Sequence, residues 1–297
     1  MTRTPPFGRF LTAMATPFGP DLEVDLDRAQ ELAVDLVKRG NDGLIICGTT
    51  GESPTLTRTE KLDLFKAVMD ALDGSAPVIA NVGNNDTADS VDFAKEAAAL
   101  GVDGLMAVVP YYNKPPQEGL YQHFKAIANA VDIPIIMYNI PSRSVINMDT
   151  ATTLRLANDV ENILAVKEAS GKLDQIADMA EFAPEGFVVY AGDDEITLPL
   201  MALGGYGVIA TIGNLAPERL KEIIDYMAAG EVGQALAAHM RLQPLMKELF
   251  VTTNPIMLKA ALRLTGFDIG GVRLPLVEAT EAQIAGIEKV MKEVGVL

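Results

Sequence analysis

Apolar residues along this chain come in two rhythms. Eight short runs begin near Phe10, Gly43, Pro77, Gly104, Pro134, Ile163, Phe187 and Gly207. They read FLTAMATPF, GLIICG, PVIANVG, GLMAVVP, PIIMYNIP, ILAVKEAS, FVVYAGDD and GVIATIGN. Nearly continuous apolar runs of this length suit strands of a parallel sheet covered on both faces. Between them, apolar residues recur at helical spacing. In 27–39 the stripe is Ala29, Leu32, Ala33, Leu36 and Val37, and 59–72, 87–100, 117–131 and 150–158 repeat the pattern. Thr57, Asp86 and Asp149 stand where helix N-caps belong, and Gly40, Gly74 and Gly101 where left-handed C-terminal caps belong.

The starts of successive strands are 33, 34, 27, 30, 29, 24 and 20 residues apart. Eight strand–helix alternations predict an α/β fold, a closed (β/α)8 barrel, over residues 1–229. An open doubly wound sheet is the competing architecture. It should carry a glycine fingerprint after its first strand, and Thr16-Pro17-Phe18-Gly19-Pro20 is nothing like one. Gly205-Tyr206-Gly207-Val208-Ile209-Ala210 fits the spacing but precedes a strand instead of following it. After a helix at 217–227 the alternation stops. Helices are expected at 232–250, 254–264 and 278–294, so 230–297 is predicted to be a C-terminal helical domain.

Composition narrows the function classes. Of 297 residues, 49% are hydrophobic, ample for one large core. The formal net charge of −16 argues against nucleic acid or an anionic membrane surface as partner. It leaves room for a small anionic substrate held by one arginine or by backbone N–H groups. No run of eighteen apolar residues occurs, and residues 1–6 lack the apolar core of a signal peptide. The one cysteine, Cys47, has no partner for an internal disulfide, and a cytoplasmic protein is expected. The two histidines, His123 and His239, lack ligand-like spacing, so no metal is expected; no nucleotide or other cofactor is expected either.

In a barrel of this kind chemistry sits at the carboxyl ends of the strands. The sixth run, Ile163-Leu164-Ala165-Val166, leads straight into Lys167. Alternation puts Lys167 on the face of Ile163 and Ala165, where burial would disfavour its charge. A desolvated lysine is the usual Schiff-base nucleophile; a snorkelling strand-end lysine is the plainer reading. Thr49 and Thr50 lie between Gly48 and Gly51 after the second strand, fit to hold a carboxylate or simply to make a βα turn. Tyr111 and Tyr112 end the fourth strand, as proton carrier or as interface. Tyr138 ends the fifth, one strand spacing from Lys167, and Arg143 follows it, as carboxylate grip or as surface ion pair. Gly192, before Asp193 and Asp194, permits close backbone approach, and the aspartates cap a helix or do acid–base work.

Taken in order, Gly48-Thr49-Thr50-Gly51-Glu52, Tyr111-Tyr112-Asn113, Tyr138-Asn139-Ile140-Pro141-Ser142-Arg143, Lys167-Glu168-Ala169-Ser170-Gly171 and Gly192-Asp193-Asp194 resemble the N-acetylneuraminate lyase and dihydrodipicolinate synthase superfamily of class I aldolases. The resemblance spans nearly the whole chain. Arg143 after Pro141-Ser142 makes it similar to the dihydrodipicolinate synthase branch, where an arginine there holds the carboxylate of aspartate semialdehyde. The resemblance implies a lyase that condenses pyruvate with L-aspartate 4-semialdehyde. Lys167 would form the imine, Tyr138 would move protons, and Thr49 and Tyr112 would complete a relay, with Tyr112 reaching in from a neighbouring subunit. Thr50 and the backbone at Ile209 would contact pyruvate. It also implies a homo-oligomer, a tetramer built as a dimer of dimers. A related lyase acting on another aldehyde, or a pyruvate-binding regulator, would share much of this pattern.

Lysine-inhibited members of the family carry histidines in the helix after the second strand and a glutamate after the third. This chain has Arg58, Lys61 and Asp89 at those positions, while Asn85 and Tyr111 are retained. Weak or absent inhibition by lysine is expected.

Overall fold

The structure, a computed structural model, describes residues 7–297. The amino-terminal segment read above for a signal sequence, residues 1–6, lies outside the described residues. The elements are β1 (Phe10–Ala13), α1 (Leu26–Lys38), β2 (Gly43–Ile46), α2 (Arg58–Leu72), β3 (Val78–Asn81), α3 (Thr87–Leu100), β4 (Gly104–Val108) and α4 (Gln117–Ala128). Then come β5 (Ile135–Asn139), α5 (Pro141–Ser144), α6 (Thr150–Asp159), β6 (Ile163–Glu168), α7 (Leu173–Phe182), β7 (Val188–Ala191), α8 (Thr197–Ala202), β8 (Gly207–Ala210) and α9 (Pro217–Ala228). The chain finishes with α10 (Val232–Glu248), α11 (Ile256–Leu264) and α12 (Glu281–Glu293).

The eight strands follow one another in order round a closed barrel; β1 runs parallel to β2, and β3 to β8 run parallel in succession. Every residue of β1, β2, β3, β5, β7 and β8 is buried, as expected for strands that have a packed interior on one side and helices on the other. The described residues form two compact units. One comprises Pro77–Ile209 with residues 7–9; the other comprises Phe10–Ala76 and Ala210–Leu297. The expected 229/230 boundary marks where strand–helix alternation ends, a different kind of division from these units.

Local chemistry explains the helix starts. Thr57 and Glu60 form a reciprocal capping box on α2. The Asp86 carboxylate accepts from the backbone N–H groups of Ala88 and Asp89, and that of Asp149 accepts from Thr152. The predicted helix at 254–264 begins later, at Ile256, after Pro255 at the cap. The sequence pattern had not marked α7 and α8. These ride on the two shortest strand-to-strand steps, and α8 has only 6 residues, too few for a periodic stripe to develop.

One register detail changes the reading of β6. Ile135 pairs with Ile163 but Ile136 pairs with Ala165, so two residues of β6 face one of β5. Such a bulge interrupts strict alternation. The shared face expected for Ile163, Ala165 and Lys167 therefore holds from Ala165 onward and does not extend back to Ile163.

Candidate active site

In the unit built from Pro77–Ile209, β5 and β6 place Tyr138 directly opposite Lys167, and β7 places Tyr190 on the other flank. Lys167 is 5% exposed, so its amine does not sit in bulk water. Its Nζ lies 4.3 Å from the centre of the Tyr138 ring. Burial pushes the ammonium down from 10.5 to about 8, Asp194 and Asp193 oppose the shift, and the Arg143 guanidinium adds to it. The effect on reactivity is large: at pH 7.5 an ordinary lysine is neutral in about one molecule per thousand, this one in roughly one of four.

Gly192 is required by space. A Cβ there would come within 2.7 Å of Ala169 Cβ and 3.1 Å of Lys167 Cγ, so any side chain would press on the lysine stem. Its N–H donates to Glu168 O at 2.8 Å, tying β7 to the end of β6. Asp193 caps the following turn, accepting from Glu195 N–H at 3.0 Å, while Asp194 is buried. Arg143 is exposed on the short α5. Ile209 is buried within β8.

Behind Lys167, the next residue is held by a network that the sequence reading did not single out. The Glu168 carboxylate accepts from Ser170 N–H at 2.6 Å, Asn139 Nδ2 at 2.9 Å and Gln175 Nε2 at 3.1 Å. Asn139 Oδ1 in turn accepts from Met148 N–H at 2.9 Å. The ends of β5 and β6 and the segment after α5 are thereby fastened to one another. Burial raises the Glu168 pKa, against the pull of these donors.

Tyr112 is 88% exposed and sits at φ 73°, left-handed backbone that a bulky residue rarely adopts. Lys114 is left-handed too, and Asn113 Nδ2 braces the loop by donating to Asn85 O at 2.7 Å. Tyr111 is partly buried, which raises its pKa, with a further contribution from Asp89.

In the unit built from Phe10–Ala76 and Ala210–Leu297, the loop after β2 carries Thr49 and Thr50. Thr50 is buried; its Oγ1 accepts from Asn254 Nδ2 at 3.0 Å and lies 3.5 Å from Thr211 Oγ1. Thr49 O accepts from Glu52 N–H at 3.1 Å and Gly48 O from Ser53 N–H at 3.2 Å, closing the loop on itself. Gly51 fits because a Cβ would meet Met14 O and Thr16 Oγ1, both at 3.1 Å. Cys47 and Glu52 bracket the loop with left-handed φ values of 56° and 55°. Cys47 is buried and its thiol pKa is pushed well up by burial.

Glu52, which ends the Gly48–Glu52 motif, pairs with Lys259, a residue that the sequence pattern does not mark. Glu52 Oε1 lies 2.6 Å from Lys259 Nζ, and both side chains are sealed from solvent. Lys259 interrupts the apolar run at the start of α11, and a charge inside such a run is the signal that could have found it. His123 and His239 are buried in α4 and α10; the ring of His123 hydrogen-bonds Thr87.

Comparison with known proteins gives the family. A sequence profile of the dihydrodipicolinate synthetase family matches residues 6–294. The 4-hydroxy-tetrahydrodipicolinate synthase of Symbiobacterium thermophilum is 55% identical over 293 residues, covering 99% of this chain and all of that protein. The synthase of Moorella thermoacetica is 56% identical over 291 residues, covering 98% and 99%. A crystal structure of the Cyanidioschyzon merolae DHDPS with lysine bound superposes with a TM-score of 0.97 at 44% identity, covering 98% of this chain and 99% of that one. A buried lysine facing a tyrosine across β5 and β6, in a chain matched end to end by these relatives, leads to one conclusion: the chain belongs to the dihydrodipicolinate synthetase family.

Proposed function

We infer that the chain is a lyase of the class I aldolase type that condenses pyruvate with L-aspartate 4-semialdehyde to 4-hydroxy-tetrahydrodipicolinate, a step of lysine and diaminopimelate biosynthesis. The observation that carries this reading is the buried Lys167 amine, lowered to about 8, beside the ring of Tyr138. Neutral Lys167 Nζ adds to the keto carbon of pyruvate, and loss of water leaves an imine. Removal of a methyl proton gives the enamine, whose carbon attacks the aldehyde. The amine of the second substrate then adds to the imine carbon, closes the ring and expels Lys167 as a free amine. Every step moves a proton, and the Tyr138 phenol is the carrier proposed for them.

Thr49 and Tyr112 are proposed to extend the relay, and Thr50, Gly192 and the backbone at Ile209 to receive pyruvate. Arg143 is the proposed grip for the carboxylate of the semialdehyde. Tyr112 is proposed to serve a second copy of the chain, within a dimer of dimers; its 88% exposure in a braced left-handed loop supports a residue presented outward. The lone buried Cys47 is consistent with a cytoplasmic setting. Among the described residues no helix is long and apolar enough to cross a membrane.

Incubation with pyruvate and borohydride tests the reading. Mass spectrometry is expected to find a reduced pyruvate adduct on Lys167, and Lys167→Ala is expected to show neither adduct nor turnover. An adduct elsewhere, or turnover by the alanine variant, would contradict the assignment.

A further inference from the structure

Glu52 and Lys259 form a fully buried ion pair that the condensation itself does not use. Removing two charges from water is costly, and an apolar pair of the same volume often serves stability as well or better. The placement of this pair suggests what it gives in return. Glu52 closes the threonine loop in a left-handed conformation, φ 55° and ψ 35°, which a glutamate holds only when its surroundings impose it. Its carboxylate is engaged at both oxygens: Oε1 makes an ion contact with Lys259 Nζ at 2.6 Å without hydrogen-bond alignment, and Oε2 accepts from Arg273 N–H at 3.0 Å. Lys259 is immobilised in turn. Its Nζ donates to Gly271 O at 2.7 Å and lies 4.0 Å from the centre of the Phe18 ring.

The segment that carries Lys259 touches the loop at a second point. Asn254, two residues before α11, donates to Thr50 Oγ1 at 3.0 Å. A hydroxyl that accepts there must turn its own proton elsewhere, toward Thr211 or toward a ligand. Arg273 completes the attachment from the other side. Its guanidinium donates to Leu22 O, to Thr55 O and to both Glu60 oxygens, fastening the segment before α12 to the start of α2.

We infer that α11 and the 270–273 segment position the threonine loop for catalysis, with the Glu52–Lys259 pair as the fastening that sets the hydroxyls of Thr49 and Thr50. Glu52 and Lys259 are positioning residues, with no contact to substrate. The inference rests on the roles proposed above for Thr49 and Thr50, and it assigns the C-terminal helices a part in the chemistry.

The test uses the full chain with Glu52→Gln and the double variant Glu52→Gln/Lys259→Met, whose buried pair carries no charge. Measured are kcat, KM for each substrate, thermal midpoint and the borohydride-trapped adduct at saturating pyruvate. Expected for both folded variants is an intact adduct on Lys167 but a kcat/KM for pyruvate lower by roughly 10- to 100-fold, the size of a small misplacement of catalytic groups. KM for the semialdehyde should stay within about twofold, because Arg143 is untouched. The double variant should recover thermal stability without recovering rate. Wild-type kcat and pyruvate KM in either variant, with only the melting point changed, would overturn the inference. Failure of both variants to fold would overturn it as well, since the pair would then be a folding element. If the wild type neither traps pyruvate nor condenses, the functional reading has failed, a result distinct from either.

Discussion

Lys167 gains its reactivity from what surrounds it, and the surroundings act in opposite directions. Burial lowers its pKa most, Asp194 and Asp193 raise it, and Arg143 lowers it further, to about 8. Only the neutral amine attacks a carbonyl, so the protonated fraction is inert. The rate of imine formation with pyruvate is therefore expected to climb about tenfold per pH unit below about 8 and to flatten above it. Stopped-flow measurement from about pH 6 to about pH 9 would check this; a climb that continues unbroken past 9 would mean an unshifted lysine. The residue was legible in the sequence because a cation ends an apolar strand. The aspartates that hold its pKa up were seen as a pair, but their closeness to Lys167 depends on β7 lying beside β6, and distance between strands is not written in either run.

Among elements, α5 and the segment behind it connect the proposed semialdehyde grip to the proposed nucleophile. Arg143 sits on this single turn, directly after β5, and Asn139 ties the strand end to Met148 and Glu168. Arg143→Ala is expected to raise KM for L-aspartate 4-semialdehyde by roughly 10- to 100-fold with little change for pyruvate. The same variant should move the pH break for imine formation upward, because a positive neighbour is lost. Steady-state kinetics with each substrate, and the pH profile, separate the two effects; an unchanged semialdehyde KM would remove Arg143 from the site. Strands and long capped helices could be read along the chain because their signals are local: an apolar run, a stripe, a Thr or Asp before it. The bulge in β6 and the Glu168 network could not, since both arise from pairing across elements. The threonine loop was visible as two threonines between two glycines, whereas its fastening lies more than 200 residues away at Asn254 and Lys259.

For the molecule as a whole, charge distribution decides which small ligands it answers to. The net charge of −16 leaves a local positive field where Arg143 stands near Lys167, suited to the carboxylates of the two proposed substrates. Arg58 and Lys61 open α2 with two cations, and Asp89 in α3 is hydrogen-bonded by the Asn84 side chain. Like charge near an ammonium ligand disfavours it. L-lysine at about 1 mM is expected to leave turnover unchanged; inhibition at lower concentration would refute this and align the chain with the lysine-bound relative.

Cys47 gives the molecule a property of practical use. The only thiol in the chain is sealed at the base of the threonine loop, in a left-handed backbone, with its ionisation suppressed. Alkylating reagents should reach it only when that region opens, so its labelling rate is a natural clock for local unfolding. A spectroscopic tag placed on an introduced surface cysteine would meet no competing native thiol as long as the fold stays shut.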